Sequence, residues 1–83
     1  MVRVRISARA ERDLKRIEKP YLAAVAEALR RLADTPLAGK ALEGDLQGLR
    51  SLRVGMYRVV YRFDPRTQVA DVAWIRHWRE VYR

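Results

Sequence analysis

The 83-residue chain has a mass of 9.7 kDa and a formal net charge of +8, from 18 Lys and Arg against 10 Asp and Glu. That length predicts a single domain, residues 1–83, with one modest core. The lack of cysteine excludes disulfides and thiolate zinc sites, and a single histidine argues against a protein-built metal site. No run approaches the roughly 20 apolar residues of a membrane span, and no secretory signal is recognisable, so we expect a cytoplasmic protein.

The first half of the chain predicts one strand followed by two helices. Apolar residues alternate with arginines over residues 2–6, which is typical of a half-buried strand. Ser7 then suits the N-cap of a first helix, and Pro20 suits the first residue of a second. The second helix carries an apolar stripe at spacings of three and four, formed by Leu22, Val25, Leu29 and Leu32. It ends at Thr35, because the residue before a proline is pushed out of helical space.

The second half predicts a connection over residues 36–48 and then three strands: Leu49–Val54, Tyr57–Phe63 and Gln68–Ile75. Gly55-Met56 suits a type II′ turn between the first two, and a polar tail begins at His77. The predicted fold class is therefore α+β in the order β-α-α-β-β-β. A two-helix hairpin would pack on one face of an antiparallel sheet.

The positive charge is concentrated near the end of the chain, where residues 49–83 hold eight arginines and three acids. With a two-residue turn at Gly55-Met56, Arg53 lies opposite Arg58 on the face away from the helices. Like charges facing each other across a ladder are destabilising, unless an anion such as a phosphodiester lies between them. The alternative is that both arginines extend into solvent or pair with Asp71 on the next strand.

Two segments resemble a known family. The run 46–61 (LQGLRSLRVGMYRVVY) and the tail 76–83 (RHWREVYR) are similar to the signatures of the RelE/ParE toxin superfamily. The resemblance implies the toxin of a type II toxin–antitoxin pair, neutralised by a cognate antitoxin. RelE-like members are ribosome-dependent mRNA endonucleases that use no metal or cofactor, whereas ParE-like members share the fold and inhibit DNA gyrase.

The resemblance also implies the site residues. Positions that match the family's nuclease residues, together with the arginine pair, give a predicted catalytic set of Arg53, Arg58, Arg76, His77 and Tyr82. Further cations are expected to bind RNA: Lys40, Arg50, Arg62, Arg79 and Arg83. The chain departs from the family pattern at Leu49, Ser51, Met56 and Trp78.

Metal-free RNA cleavage needs a base for the 2′-OH, cations for the crowded phosphorane and an acid for the leaving oxygen. Arginines supply the cations, and His77 has the only side chain that titrates near neutrality. Tyr82 is either a base with a lowered pKa or a platform for base stacking. The sequence therefore predicts an mRNA endonuclease with ribosome, mRNA and antitoxin as partners and no membrane. The alternatives are a gyrase inhibitor and a degenerate toxin that only binds antitoxin.

Overall fold

Five strands and two helices make up the fold in a computed structural model, which describes residues 1–77 and Arg79. In chain order the elements are β1 (Arg3–Ile6), α1 (Ala8–Lys15), α2 (Lys19–Asp34), β2 (Lys40–Ala41), β3 (Arg50–Val54), β4 (Tyr57–Asp64) and β5 (Val69–His77). All six predicted elements are present. β5 extends two residues beyond the predicted end, so Arg76 and His77 belong to the sheet.

α1 begins where the sequence predicts, and α2 begins one residue earlier than predicted. Ser7 is the N-cap of α1, and its side chain accepts a hydrogen bond from the backbone N–H of Ala10 at 3.0 Å. α2 begins at Lys19 with Pro20 in its first turn, where a missing N–H costs no helical hydrogen bond. It runs for 16 residues to Asp34 and is capped by Thr35.

The strands form one sheet in the order β1-β5-β4-β3-β2. Every pair is antiparallel except β1 with β5, which are parallel, so the sheet is mixed and not antiparallel throughout as predicted. The difference arises from β2, a two-residue strand that the prediction omitted. It adds one reversal of chain direction before β3, which makes the last strand run the same way as the first.

The core lies between the helices and one side of the sheet, called here the helix face. Val25 and Leu32 of α2 are fully buried against Val59 and Val72 of the strands. The opposite side is called the outer face. Leu22, predicted to lie on the apolar stripe, is 38% exposed and does not belong to the core.

The α1 segment lies beside the end of β5, and β1 lies beside its beginning. β1 pairs with β5 only as far as Val72, which leaves the backbone of the last residues of β5 without a strand on that side. The Ser7 hydroxyl donates to the carbonyl oxygen of Ala73 at 2.7 Å, and the Asp13 carboxylate accepts from the N–H of Ile75 at 2.9 Å. Two side chains of the α1 segment thus hold the end of β5 in place.

Tyr61 anchors the connection between α2 and β3. Its ring is fully buried, and its hydroxyl donates to the carbonyl oxygen of Pro36 at 2.7 Å and accepts from the N–H of Gly39 at 2.8 Å. A Cβ at position 39 would lie 2.8 Å from the phenol, so only glycine fits there. The connection is therefore fixed beside β4 just before β2 begins.

Candidate nucleic-acid interface

The turn at Gly55-Met56 sets the register of the candidate interface. Gly55 has φ +58°, while Met56 has a negative φ, as a type II′ turn requires. Val54 lies opposite Tyr57, and Arg53 lies opposite Arg58, as predicted.

The third strand extends this pair into a row. Arg58 lies opposite Arg53 on one side and Arg76 on the other, so three arginines occupy neighbouring strands on the outer face. Directly opposed residues have Cβ atoms only about 5 Å apart. We call Arg53, Arg58 and Arg76 the arginine row. Three guanidinium groups at this spacing can bind several oxygens of one phosphodiester.

Asp71 does not neutralise the row. The register places it opposite Arg62, and its carboxylate is bound by Arg5 of β1 through hydrogen bonds of 2.7 and 3.1 Å. The hydrogen bond from Arg5 lowers the pKa of Asp71 below its ordinary value and raises that of Arg5. The alternative in which Asp71 pairs with Arg53 or Arg58 is therefore wrong.

The whole outer face is positive among the residues that the structure describes. Side-chain alternation and register place seven cations there: Arg3, Arg5, Lys40, Arg53, Arg58, Arg62 and Arg76. The strands contribute two carboxylates to the same face, Asp71 and Asp64, and Asp64 accepts a hydrogen bond from the N–H of Arg66 at 2.9 Å. The charge of this face fits a polyanion.

Lys40 and Arg62 extend the positive surface on either side of the row. Lys40 is exposed on β2 and lies opposite Ser51 on the outer face. The guanidinium group of Arg62 lies over Gly48, where an added Cβ would come within 3.3 Å of it. Gly48 has φ +95°, so the connection turns tightly beneath this side chain.

Arg50 is separated from the row. It is three positions before Arg53, and an odd offset along a strand puts the two side chains on opposite faces. Its guanidinium group donates to the carbonyl oxygens of Gly39 at 2.6 Å and Leu37 at 3.4 Å. Arg50 therefore holds the connection before β2, although the sequence predicted an RNA contact.

His77 is also separated from the row. It lies opposite Tyr57, on the helix face, because it is adjacent to Arg76 in the strand. Its ring meets that of Tyr57 edge-on, with centroids 5.6 Å apart. The N–H of Arg79, which is exposed, donates to His77 Nδ1 at 3.3 Å. The other predicted tail residues, Tyr82 and Arg83, and the family departure at Trp78 lie outside the described residues.

A cleft of about 200 Å³ adjoins His77 at the end of the sheet. α1 contributes Asp13 and Arg16 to its lining, and β5 contributes Arg76 and His77. Asp13 and Arg16 are not among the site residues predicted from the sequence. They are three residues apart and Ile17 beside them is buried, which indicates that both lie on the side of α1 towards the sheet.

Trp74 lies between the arginine row and Asp71 along β5. Its ring is half-buried and lies opposite Val60, which is 2% exposed, and the Arg9 guanidinium is 5.2 Å from the ring centroid. Trp74 is therefore a partly covered residue of the outer face. No group of three or more His, Asp or Glu side chains that could hold a metal ion occurs among residues 1–77 and Arg79. Neither described helix has the length and hydropathy needed to cross a membrane.

Comparison with known proteins places this geometry in a family. Residues 4–82 match the family described as ParE toxin of type II toxin-antitoxin system, parDE. The chain is 38% identical over 82 residues to Toxin RelG of Mycobacterium tuberculosis, covering 96% of this chain and 94% of that protein. It is 39% identical over 82 residues to Toxin RelE of the same organism, covering 96% and 84% of the two chains.

Solved structures of similar chains support the same family. The toxin–antitoxin complex RelBE2 of M. tuberculosis contains a chain with a TM-score of 0.85 and 36% identity, covering 92% of this chain and 96% of that one. A chain of the archaeal RelE–RelB complex of Pyrococcus horikoshii shares the fold, with a TM-score of 0.76 at 23% identity, covering 92% and 93%. The chain belongs to the RelE/ParE superfamily of type II toxin–antitoxin toxins.

Proposed function

We propose that this toxin is a ribosome-dependent, metal-independent mRNA endonuclease that inhibits translation in the cytoplasm. The arginine row is the observation that carries the proposal. Cations that lie opposite each other on neighbouring strands repel each other unless an anion lies between them. A phosphate bound between them converts that repulsion into binding energy.

The row suits the chemistry of RNA cleavage. Attack of a 2′-OH on the adjacent phosphorus gives a phosphorane that carries more negative charge than the starting diester. Guanidinium groups fixed beforehand on a rigid sheet stabilise that charge without reorganising. Proton transfer requires further groups, and we assign Tyr82 as the base or as a stacking platform for an RNA base. Lys40, Arg62, Arg79 and Arg83 would bind the flanking phosphates.

Inhibition of DNA gyrase is the second candidate, and the match of residues 4–82 to the ParE toxin family favours it. Two relatives named RelE and RelG, at 38–39% identity over nearly the whole chain, favour the endonuclease. The arginine row also favours the endonuclease, because an inhibitor that acts by binding a protein has no need of groups arranged around a phosphodiester.

The test is an assay of the purified toxin on both targets. We expect a defined mRNA to be cut when it is translated by purified ribosomes and to stay intact with the toxin alone in the same Mg²⁺-containing buffer. Supercoiling of plasmid DNA by gyrase should be unaffected at the same toxin concentration. Intact mRNA together with gyrase-dependent DNA breaks would establish the second candidate instead.

We also propose a cognate antitoxin as the partner, since several similar structures are toxin–antitoxin complexes. An apolar cleft of about 520 Å³ lies between α2 and β1, lined by Val4, Ile6, Leu29 and Ala33, with Arg30 and Asp34 at its polar side. Among the strands that the structure describes, β1 pairs with β5 alone, and its other edge could accept a further strand. The antitoxin would place apolar residues in this cleft and acidic residues over the outer face.

A further inference from the structure

His77 and the arginine row lie on different faces of one strand. Arg76 points to the outer face with Arg58, and His77 points to the helix face with Tyr57. The backbone of β5 therefore separates the imidazole from a phosphate held in the row. A proton donor or acceptor must come within hydrogen-bond distance of the reacting oxygen, which this placement opposes.

The imidazole instead has contacts that fix its orientation. Its ring packs edge-on against Tyr57, which is itself 5.9 Å from the ring of Tyr21 on α2. The resulting chain of three rings connects α2, β4 and the end of β5. A fixed ring plane directs Nδ1 towards the N–H of Arg79, at 3.3 Å. When Nδ1 accepts a hydrogen bond, the neutral imidazole carries its proton on Nε2.

The accepted hydrogen bond closes the end of β5. Arg79 is two residues beyond the strand. By accepting from its N–H, His77 ties the end of β5, which carries Arg76, to the backbone at Arg79.

We propose that His77 is a positioning residue for the endonuclease and transfers no proton. Its Nδ1 holds the backbone at Arg79 and thereby fixes the end of β5, where Arg76 lies. The proposal rests on the endonuclease function proposed above. Misplacement of about 1 Å at a reacting centre can cost up to about 100-fold in rate, so loss of this contact should be visible in catalysis.

Three substitutions separate positioning from proton transfer. In His77→Asn the amide oxygen can occupy the place of Nδ1, whereas in His77→Gln the acceptor lies further out, near the place of Nε2. His77→Ala has no acceptor. We expect cleavage within a few-fold of wild type for Asn and a 10- to 100-fold loss for Gln and Ala. The pH–rate profile of the Asn variant should keep the shape of the wild-type profile. An inactive Asn variant, or one that loses a limb of the profile, would overturn the proposal.

Amide hydrogen exchange gives a readout that does not depend on RNA. The Arg79 N–H should exchange slowly in wild type and His77→Asn and at least about tenfold faster in His77→Gln and His77→Ala. Equal exchange in all four proteins would overturn the proposal, whatever their activities. A wild-type toxin that cuts no mRNA on ribosomes, with the exchange pattern as expected, would refute the endonuclease function alone. The exchange result therefore separates a failure of this proposal from a failure of the function on which it rests.

Discussion

The two faces of the sheet are built from the same strands and have opposite properties. On the helix face Val59 and Tyr61 are fully buried, and the polar atoms of Tyr61 and Arg50 are bonded within the chain. On the outer face, one residue away in each strand, Arg58 and Arg62 belong to a surface with seven cations and two carboxylates in the described strands. One face holds the core of the fold, and the other carries the excess of positive charge.

With the proposed function, the residues for stability and those for activity are adjacent along a strand and lie on opposite faces. Arg58 and Val59 are adjacent, yet a substitution at one should affect RNA cleavage and at the other the free energy of unfolding. Side-chain alternation keeps the two roles from interfering, because neither side chain contacts the other's environment. Substitutions on each face therefore test whether RNA cleavage and the free energy of unfolding depend on different side chains.

The largest effect is expected at Arg58, at the centre of the row. Replacing it by alanine should lower ribosome-dependent mRNA cleavage by on the order of 100- to 1000-fold, the usual cost of removing one charge-stabilising donor. The variant should still unfold in one cooperative thermal transition, which would show that the loss of cleavage does not come from loss of the fold. Arg66→Ala, on the exposed turn after β4, is the matched control and should cut mRNA normally. Wild-type cleavage by Arg58→Ala would refute the role of the row.

The next effect is expected on the helix face, at Tyr61. Tyr61→Phe keeps the buried ring but removes the hydroxyl that bonds Pro36 and Gly39. It should lower the free energy of unfolding by about 1–3 kcal/mol, measured by urea denaturation, because two polar backbone groups lose their partner. Tyr21→Phe, on an exposed side chain, should change stability by less than about 0.5 kcal/mol. Equal stabilities of the two variants would show that the hydroxyl does not anchor the connection.

A smaller effect concerns the partner and not the sheet itself. Ala33→Arg places a long side chain at the apolar cleft between α2 and β1. It should weaken binding of the cognate antitoxin by about tenfold, which corresponds to about 1.4 kcal/mol, as measured by calorimetry. The control is Ala23→Arg, exposed on the same helix and not part of the cleft lining. If Ala23→Arg weakens binding as much as Ala33→Arg, the antitoxin does not use this cleft.

The smallest effect concerns Asp71 on the outer face. The hydrogen bond from Arg5 lowers the pKa of this carboxyl in the folded protein, so folding favours its charged form. The pair contributes to stability above the ordinary aspartate pKa of about 3.9, and the contribution disappears as the pH falls through the lower folded value. The melting temperature of wild type should slightly exceed that of Asp71→Asn at pH 7 and match it near pH 2. A difference that persists unchanged at low pH would assign the effect to packing.

The sequence predicted those features that depend on local pattern. Gly55-Met56 is short enough to fix the register, so the pairing of Arg53 with Arg58 followed from the turn alone. β2 escaped prediction because two residues carry no periodicity, and without it the direction of β1 relative to β5 was wrong. Arg76 could be named only by resemblance, because its place in the row depends on β5 continuing to His77. The same extension puts His77 on the helix face, which no local signal revealed.

Tyr61 has a consequence beyond the stability of the connection. By holding Pro36 and Gly39, it keeps Lys40–Ala41 against β3 as the edge of the sheet. Two paired residues present few free backbone groups to another molecule, whereas a bare β3 would present five. Exposed strand edges of that length recruit other chains into aggregates. The buried phenol therefore also limits the length of strand edge that this side of the sheet presents to other chains.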